Sequence, residues 1–209
     1  MAVASLSKFT VPTGLPSDAT SNTTGLLMPK LKYRFRATFT SFGAQSGTTP
    51  SVTELTRQVQ DIKRPNVNFN PVTIDVYNSK VFLMGKPEWQ ETTVTLRDDV
   101  TGAVSKLVGQ QIQKQFDFME QASAPSGINY KFRLTFDMLD GGNGNIAPVV
   151  LESWDLEGCF LSQVDYGEMA YNSSDPALIS LNIKFDNATQ TYGTAGSNWV
   201  TPTPGESVN

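Results

Sequence analysis

Asp155 and Glu157 stand two residues apart, and Asp98 and Asp99 are adjacent; these carboxylate pairs have the types and spacing closest to acid–base chemistry in this chain. A glycoside hydrolase needs two carboxyl groups facing each other across a cleft. Asp155 and Glu157 instead sit at i and i+2 of an alternating segment, on one strand face, as on a solvated surface. Asp98-Asp99 precede a helical pattern, where a carboxylate caps the first turn and meets the positive end of the helix. Asp137, Asp140, Asn143 and Asn145 offer calcium-type oxygens, but the EF-hand spacing and its closing Glu are missing. Gly141-Gly142-Asn143-Gly144 reads as a turn, because it lacks the strand-to-helix setting and the Gly-Lys-Ser or Gly-Lys-Thr of a phosphate cradle.

Absences narrow the chemistry further. The chain has no histidine, which removes the commonest general base and metal ligand and with it Ser-His-Asp or Cys-His catalysis. A single cysteine, Cys159, can build neither an intrachain disulfide nor a Cys-rich zinc centre, and reads as a small core or interface residue. The expectation is a protein that is not an enzyme and that takes no metal or cofactor.

The bulk numbers agree. With 209 residues, 39% of them hydrophobic and 17% charged, the chain fits one domain with tails and has apolar material for one core. A net charge of −4 is poor for general nucleic-acid binding, which needs clustered Lys and Arg. Residues 1–10 carry no leader pattern, and no apolar run approaches the roughly 20 residues needed to span a bilayer. The expectation is a soluble chain made in a cytoplasm.

The elements that would position these residues are mostly strands. Residues 1–30, rich in Ser, Thr, Pro and Gly, read as an N-terminal arm. In Leu31 to Phe39 the residues Leu31, Tyr33, Phe35, Ala37 and Phe39 alternate with Lys32, Arg34, Arg36 and Thr38, a half-buried strand. A weakly apolar strand is expected from Glu54 to Ile62. Val67 to Val76, the turn Asn78-Ser79 and the apolar run Lys80 to Met84 form a hairpin-like excursion closed by Gly85 and Pro87. A strand from Trp89 to Arg97 follows, with Val94 and Leu96 opposite Thr93 and Thr95. Val104, Leu107, Val108, Ile112, Phe116 and Met119 recur at helical spacing, which predicts one helix over about 101–120. Strands follow at Tyr130 to Met138, at Val149 to Phe160 with Trp154, Leu156 and Phe160 on one face, and at Ile179 to Phe185. Residues 188–209 read as a C-terminal arm. The expected fold is mainly β: a β-sandwich or partly closed barrel of about seven or eight strands with one helix beside it.

The order of these elements resembles the tail tube proteins of contractile-tailed bacteriophages. The resemblance covers roughly residues 28–187. It rests on the alternating strand Tyr33 to Phe39, then Asn78, Lys80, Gly85, Glu88-Trp89 and Thr92-Val94-Thr95-Leu96, with Asp98-Asp99 opening the helix. The later run Leu151, Trp154, Leu156, Gly158, Tyr166 and Asp175 to Asp186 is also similar. The resemblance implies a virion protein assembled in the bacterial cytoplasm. It implies hexameric rings stacked into a hollow tube inside a contractile sheath, with DNA passing through the lumen without specific binding. The implied partners are other copies of the chain, the tail sheath protein, the tape measure protein, the baseplate tube initiator and the tail terminator. The tube protein of type VI secretion shares the fold.

Several residues then acquire candidate roles. Tyr77, Asn78, Lys80, Phe82, Leu83, Met84 and Lys86 form a hairpin expected to contact the next ring or subunit. By strand position and parity, Glu54, Asp61, Asp75, Asp155 and Glu157 are candidate lumen acids. Lys32, Arg34 and Arg36 form a basic row that is a candidate contact for the sheath or a neighbour; Lys131 and Arg133 make a second row. The competing readings are a monomeric β-sandwich binding a carbohydrate or protein ligand, a secretion-system tube protein, and a carboxylate hydrolase using Asp155 or Glu157.

Overall fold

The computed structural model describes residues 30–43, 53–123, 130–140 and 148–192. The chain divides into a unit of Met1–Tyr33 and a unit of Arg34–Asn209. Of the first, residues 30–33 are described, with a turn at Lys32 and Tyr33; the N-terminal arm otherwise lies outside the described residues.

The second unit is built on a bent seven-stranded antiparallel sheet. β1 (Phe35–Thr40) alternates as its sequence requires: Ala37 and Phe39 are buried, Arg36 and Thr40 exposed. It pairs with β10 (Phe132–Leu139), Ala37 opposite Phe136 and Phe39 opposite Leu134. β10 pairs with β11 (Val150–Asp165), a strand of 16 residues. On its other edge β11 meets β12 (Leu178–Lys184) and β13 (Asn187–Tyr192). Phe160 lies opposite Lys184 and Glu157 opposite Asn187, so β12 and β13 continue one register and act as a single strand interrupted at Phe185-Asp186. β12 pairs with β7 (Thr92–Arg97), which pairs with β2 (Val59–Ile62).

Strands far apart in this order share one core. Phe39 and Ala37 from β1 cluster with Val94 and Leu96 from β7, and with Leu134, Leu156, Leu181 and Ile183 between them. The sheet therefore curls around its own apolar face, as the mainly β expectation required. Two helices close the core. α1 (Thr53–Gln58) contributes Leu55, and α2 (Ala103–Gln115) contributes Val104, Leu107 and Val108. Phe42 stacks edge-on against Phe39 and Phe132, with centroids 5.3 and 4.9 Å away.

Several expectations need correction. The strand expected over residues 54–62 begins as α1, placing Glu54 on a helix; Thr-Glu-Leu-Thr-Arg-Gln has no period-two apolar pattern and contains good helix formers. The first strand begins at Phe35, not Leu31, so Lys32 precedes it. The long helix spans Ala103–Gln115 rather than 101–120. Phe116 is extended, and the Asp117 carboxylate accepts N–H groups of Met119 (2.9 Å) and Glu120 (3.3 Å), a local turn that competes with the helix. There β8 (Phe116–Asp117) pairs with β9 (Ala122–Ser123), and Met119 is exposed instead of lying on the helix stripe. Residues 188–192, read as the start of a tail, lie in β13 (Asn187–Tyr192).

Phe160 does not share the face of Leu156. Leu156 lies opposite Leu134 but Cys159 lies opposite Phe132, so β11 carries one extra residue there. Gly158 supplies it with φ +68°, the left-handed conformation of a bulge glycine. Beyond the bulge Leu156 and Cys159 both point inward and Phe160 turns to the other side.

Candidate functional site: assembly surfaces

A hairpin leaves the sheet at the start of β7. Its base is β3 (Val67–Phe69) paired with β6 (Pro87–Trp89), and its arm is β4 (Val72–Val76) paired with β5 (Ser79–Leu83). Asn70-Pro71 divides β3 from β4; proline has no N–H for a ladder, so the register breaks there. Gly85 faces the break, where an added Cβ would stand 1.9 Å from the Asn70 carbonyl oxygen. The two strands approach so closely at this kink that only glycine fits. The base is anchored by the Trp89 ring against Phe185 at 5.7 Å, and by the Gln90 N–H donating to the Asn66 carbonyl at 2.8 Å.

Beyond this anchor the arm touches little of its own subunit. Every residue of β4 and β5 is exposed. Val72, Ile74, Val76, Val81 and Leu83 are about half-exposed, Phe82 is 66% exposed, Met84 80% and Tyr77 100%. An isolated two-stranded ribbon is marginal in water, and a contiguous exposed apolar set marks a contact surface. Lys80 lies 3.7 Å from Asp75 across the ribbon; Tyr77 and Asn78 make the two-residue turn, and Lys86 follows Gly85, exposed. The hairpin residues singled out in the sequence thus fall on one protruding element.

The candidate acids do not share one face. Asp155 and Glu157 project from the outward side of β11 beside Arg133 of β10. The guanidinium makes a paired hydrogen bond with the Asp155 carboxylate and lies 3.9 Å from Glu157. Thr135 Oγ1 also donates to Asp155. Asp61 is on β2 opposite Thr95, Asp75 is on the hairpin arm, and Glu54 is on α1. The basic row also disperses. Arg36 pairs with Asp137 at 2.7 Å, whose other oxygen accepts Ser153 Oγ at 2.7 Å. Arg34 donates to the Asp140 carbonyl. The outward faces of β1, β10 and β11 are therefore polar and largely charge-paired, a pattern invisible in the sequence because the partners are 101 and 22 residues apart.

The other candidates settle into structural roles. Asp99, not Asp98, holds the α2 start: its Oδ1 accepts the Ala103 N–H at 3.0 Å and its Oδ2 accepts Thr101 Oγ1 at 2.5 Å. The Thr101 bond, then the backbone N–H groups, hold its carboxyl below the ordinary value. Gly102 stands between Asp99 and the helix with φ +66°. Cys159 is fully buried, and burial pushes its thiol up to about 12, which keeps it protonated and unreactive. Asp140 Oδ1 accepts the Val149 N–H. Among the described residues there is no cluster of three metal-ligating side chains, and no helix is long and apolar enough to cross a membrane. Asn143, Asn145 and the glycine turn lie outside the described residues.

Neither a family model nor a curated protein sequence matches this chain. Solved structures do. It resembles a chain of the anti-feeding prophage baseplate, with TM-score 0.56 at 10% identity, over 80% of this chain and 98% of that one. A chain of the anti-feeding prophage tube-terminating cap aligns with TM-score 0.53 at 10% identity, over 84% and 99%. A chain from the sheath–tube complex of an extracellular contractile injection system aligns with TM-score 0.52 at 15% identity, over 80% and 94%. The chain thus has the fold found in the tube and cap assemblies of contractile injection systems. The three aligned chains come from a baseplate, a tube-terminating cap and a sheath–tube complex.

Proposed function

We propose that this chain is the inner tail tube subunit of a contractile-tailed bacteriophage: subunits close into hexameric rings, and the rings stack into a hollow tube within the sheath. The observation that carries the reading is the hairpin of β4 and β5, an apolar ribbon left exposed by the described residues of its own subunit. Such a ribbon becomes stable when its apolar side chains are covered by another copy. The shared fold with injection-system assemblies supports the same reading.

In this reading the sheath, the tape measure protein, the baseplate tube initiator and the tail terminator are the partners, and DNA crosses the lumen. The outward face of β10 and β11 borders the lumen, with Asp155 and Glu157 as its acids and Arg133 tempering their charge. A polar, near-balanced wall gives DNA little to adhere to, since phosphate binding needs clustered unpaired cations. Lys32, Arg34 and Arg36 are proposed to approach the sheath or a neighbouring subunit.

The test is negative-stain electron microscopy with size-exclusion light scattering on the chain expressed alone. Six-fold rings or hollow tubes are expected, and the Leu83→Asp, Met84→Asp double variant is expected to stop stacking. Tubes of normal length from that variant would remove the hairpin from the interface. A chain monomeric at every concentration, with a reproducible hit in a glycan screen, would replace the tube by a binding module.

A further inference from the structure

Among the described residues the sulfur atoms occupy two kinds of place. Cys159 is fully buried, and its thiol, pushed up to about 12, gives almost no thiolate for an oxidant to meet. Met138 is 5% exposed on the inward face of β10, and its Sδ accepts a hydrogen bond from Arg64 Nη2 at 2.6 Å. Met84, Met119 and Met169 are the reverse, with the greater part of each side chain in solvent. Met119 stands in the turn between β8 and β9, and Met169 in the loop between β11 and β12. Met84 belongs to the hairpin: it follows Leu83 of β5 and precedes Gly85 at the kink.

An exposed thioether reacts with a hydroperoxide without help from a catalyst. The sulfur lone pair attacks one peroxide oxygen and the O–O bond breaks. That oxygen stays on sulfur as the sulfoxide, and the other leaves as water. Sulfur is oxidised by two electrons and the peroxide is reduced by two. Two thiols reverse the change under a methionine sulfoxide reductase, giving thioether, disulfide and water. The sulfoxide is a strong hydrogen-bond acceptor on a side chain that was apolar. In solvent it costs the subunit nothing. Covered by apolar side chains without a donor, it carries the penalty of a buried, unpaired polar group. The other exposed side chains of the hairpin arm, such as Ile74, Val81 and Phe82, are hydrocarbon and have no such chemistry.

We propose that Met84 is a reversible peroxide-modification site that decides whether a free subunit can assemble: as the thioether it lets the hairpin be covered, and as the sulfoxide it keeps the hairpin in water. The inference rests on the tube reading and adds a redox control to it. Met119 and Met169 are oxidised by the same dose and serve as references, since neither is on the hairpin. Met138 and Cys159 stay reduced because the fold shields them, so the subunit itself survives the modification. The control acts before assembly: once the hairpin is covered, the Met84 sulfur is covered with it.

The experiment treats the full chain with dilute hydrogen peroxide, maps sulfoxide by peptide mass spectrometry and measures the assembled fraction by light scattering. In the free subunit Met84, Met119 and Met169 are expected to oxidise together while Met138 does not, with an unchanged melting temperature. Oxidised wild type is expected to lose about tenfold or more in assembled fraction. Methionine sulfoxide reductase with dithiothreitol should restore it. Met84→Leu should assemble equally well before and after peroxide, whereas the Met119→Leu, Met169→Leu double variant should stay as sensitive as wild type. Met84→Gln, which places a polar group there without oxidation, should assemble poorly in the absence of peroxide. In tubes formed beforehand, Met84 should oxidise more slowly than in the free subunit. If wild type carrying the Met84 sulfoxide assembles normally, or if Met84→Leu is as peroxide-sensitive as wild type, the control site falls and the tube reading stands. If untreated wild type stays monomeric at every concentration, the tube reading falls and the control site with it.

Discussion

Gly158 sets the inward and outward sides of the longest strand. It occupies the left-handed region and places both Leu156 and Cys159 in the core. A Cβ there would stand 2.1 Å from Asp186 Oδ2, and that carboxylate is the partner of Lys131 at 2.5 Å. Gly158→Ala is expected to destabilise the subunit by about 1–2 kcal/mol, the cost of a left-handed non-glycine residue, with further loss as Asp186 is displaced. Urea denaturation measures it. Asp99 gives a prediction in pH. Its folded-state pKa is depressed, so its stabilisation is fully present above the unfolded value of about 3.9 and is lost as pH falls through the lower folded value. Asp99→Ala is therefore expected to be less stable than wild type at pH 7, with the gap narrowing below about pH 4; denaturation curves across that window check it. At this scale the sequence showed the shared face of Asp155 and Glu157 and a carboxylate of the Asp98-Asp99 pair at the α2 start, a role that falls to Asp99. It did not show Phe160 turning away, because a bulge adds a residue without altering the apolar composition. Nor did it show Arg133 holding Asp155, because that contact joins two strands.

The elements divide by how much of their burial comes from local pattern. α2 was legible as an apolar stripe at Val104, Leu107 and Val108, yet the residue completing its buried face is Gln111. The Gly43 N–H donates to Gln111 Oε1 at 2.9 Å, and Gln111 Nε2 donates to the Tyr130 carbonyl at 2.7 Å. One side-chain amide thus satisfies backbone groups of two segments on either side of the helix. Gln111→Ala is expected to cost about 1–3 kcal/mol, the penalty of leaving buried polar groups unmade; thermal and urea unfolding would register it. One turn later Gln115 repeats the device: its Nε2 donates to the Leu161 carbonyl at 3.0 Å and its Oε1 accepts the Leu161 N–H at 2.9 Å. It caps β11 just past Cys159, where the pairing with β10 ends. A buried glutamine leaves no periodic signal, since its type reads as polar surface. α1 was illegible for another reason: six residues with one buried leucine are too few to establish a period.

On the scale of the whole molecule, the hairpin was the legible part, because an apolar run closed by Gly85 and Pro87 fits neither a core strand nor a helix. Its isolation from the body was not legible, since that depends on where the curled sheet ends. The isolation separates two effects that a core mutation would confound. Leu83 and Met84 are exposed in the subunit and absent from its core cluster, so changing both to Asp should leave monomer stability within about 0.5 kcal/mol of wild type, as for other surface substitutions. Assembly should be lost, because two carboxylates would then be desolvated in a contact built from apolar side chains. Unchanged melting of the monomer, with no tubes in the microscope, is the expected pair of results. A lowered melting temperature would mean that the hairpin folds back onto its own subunit, and the ribbon would then stabilise the fold instead of the assembly.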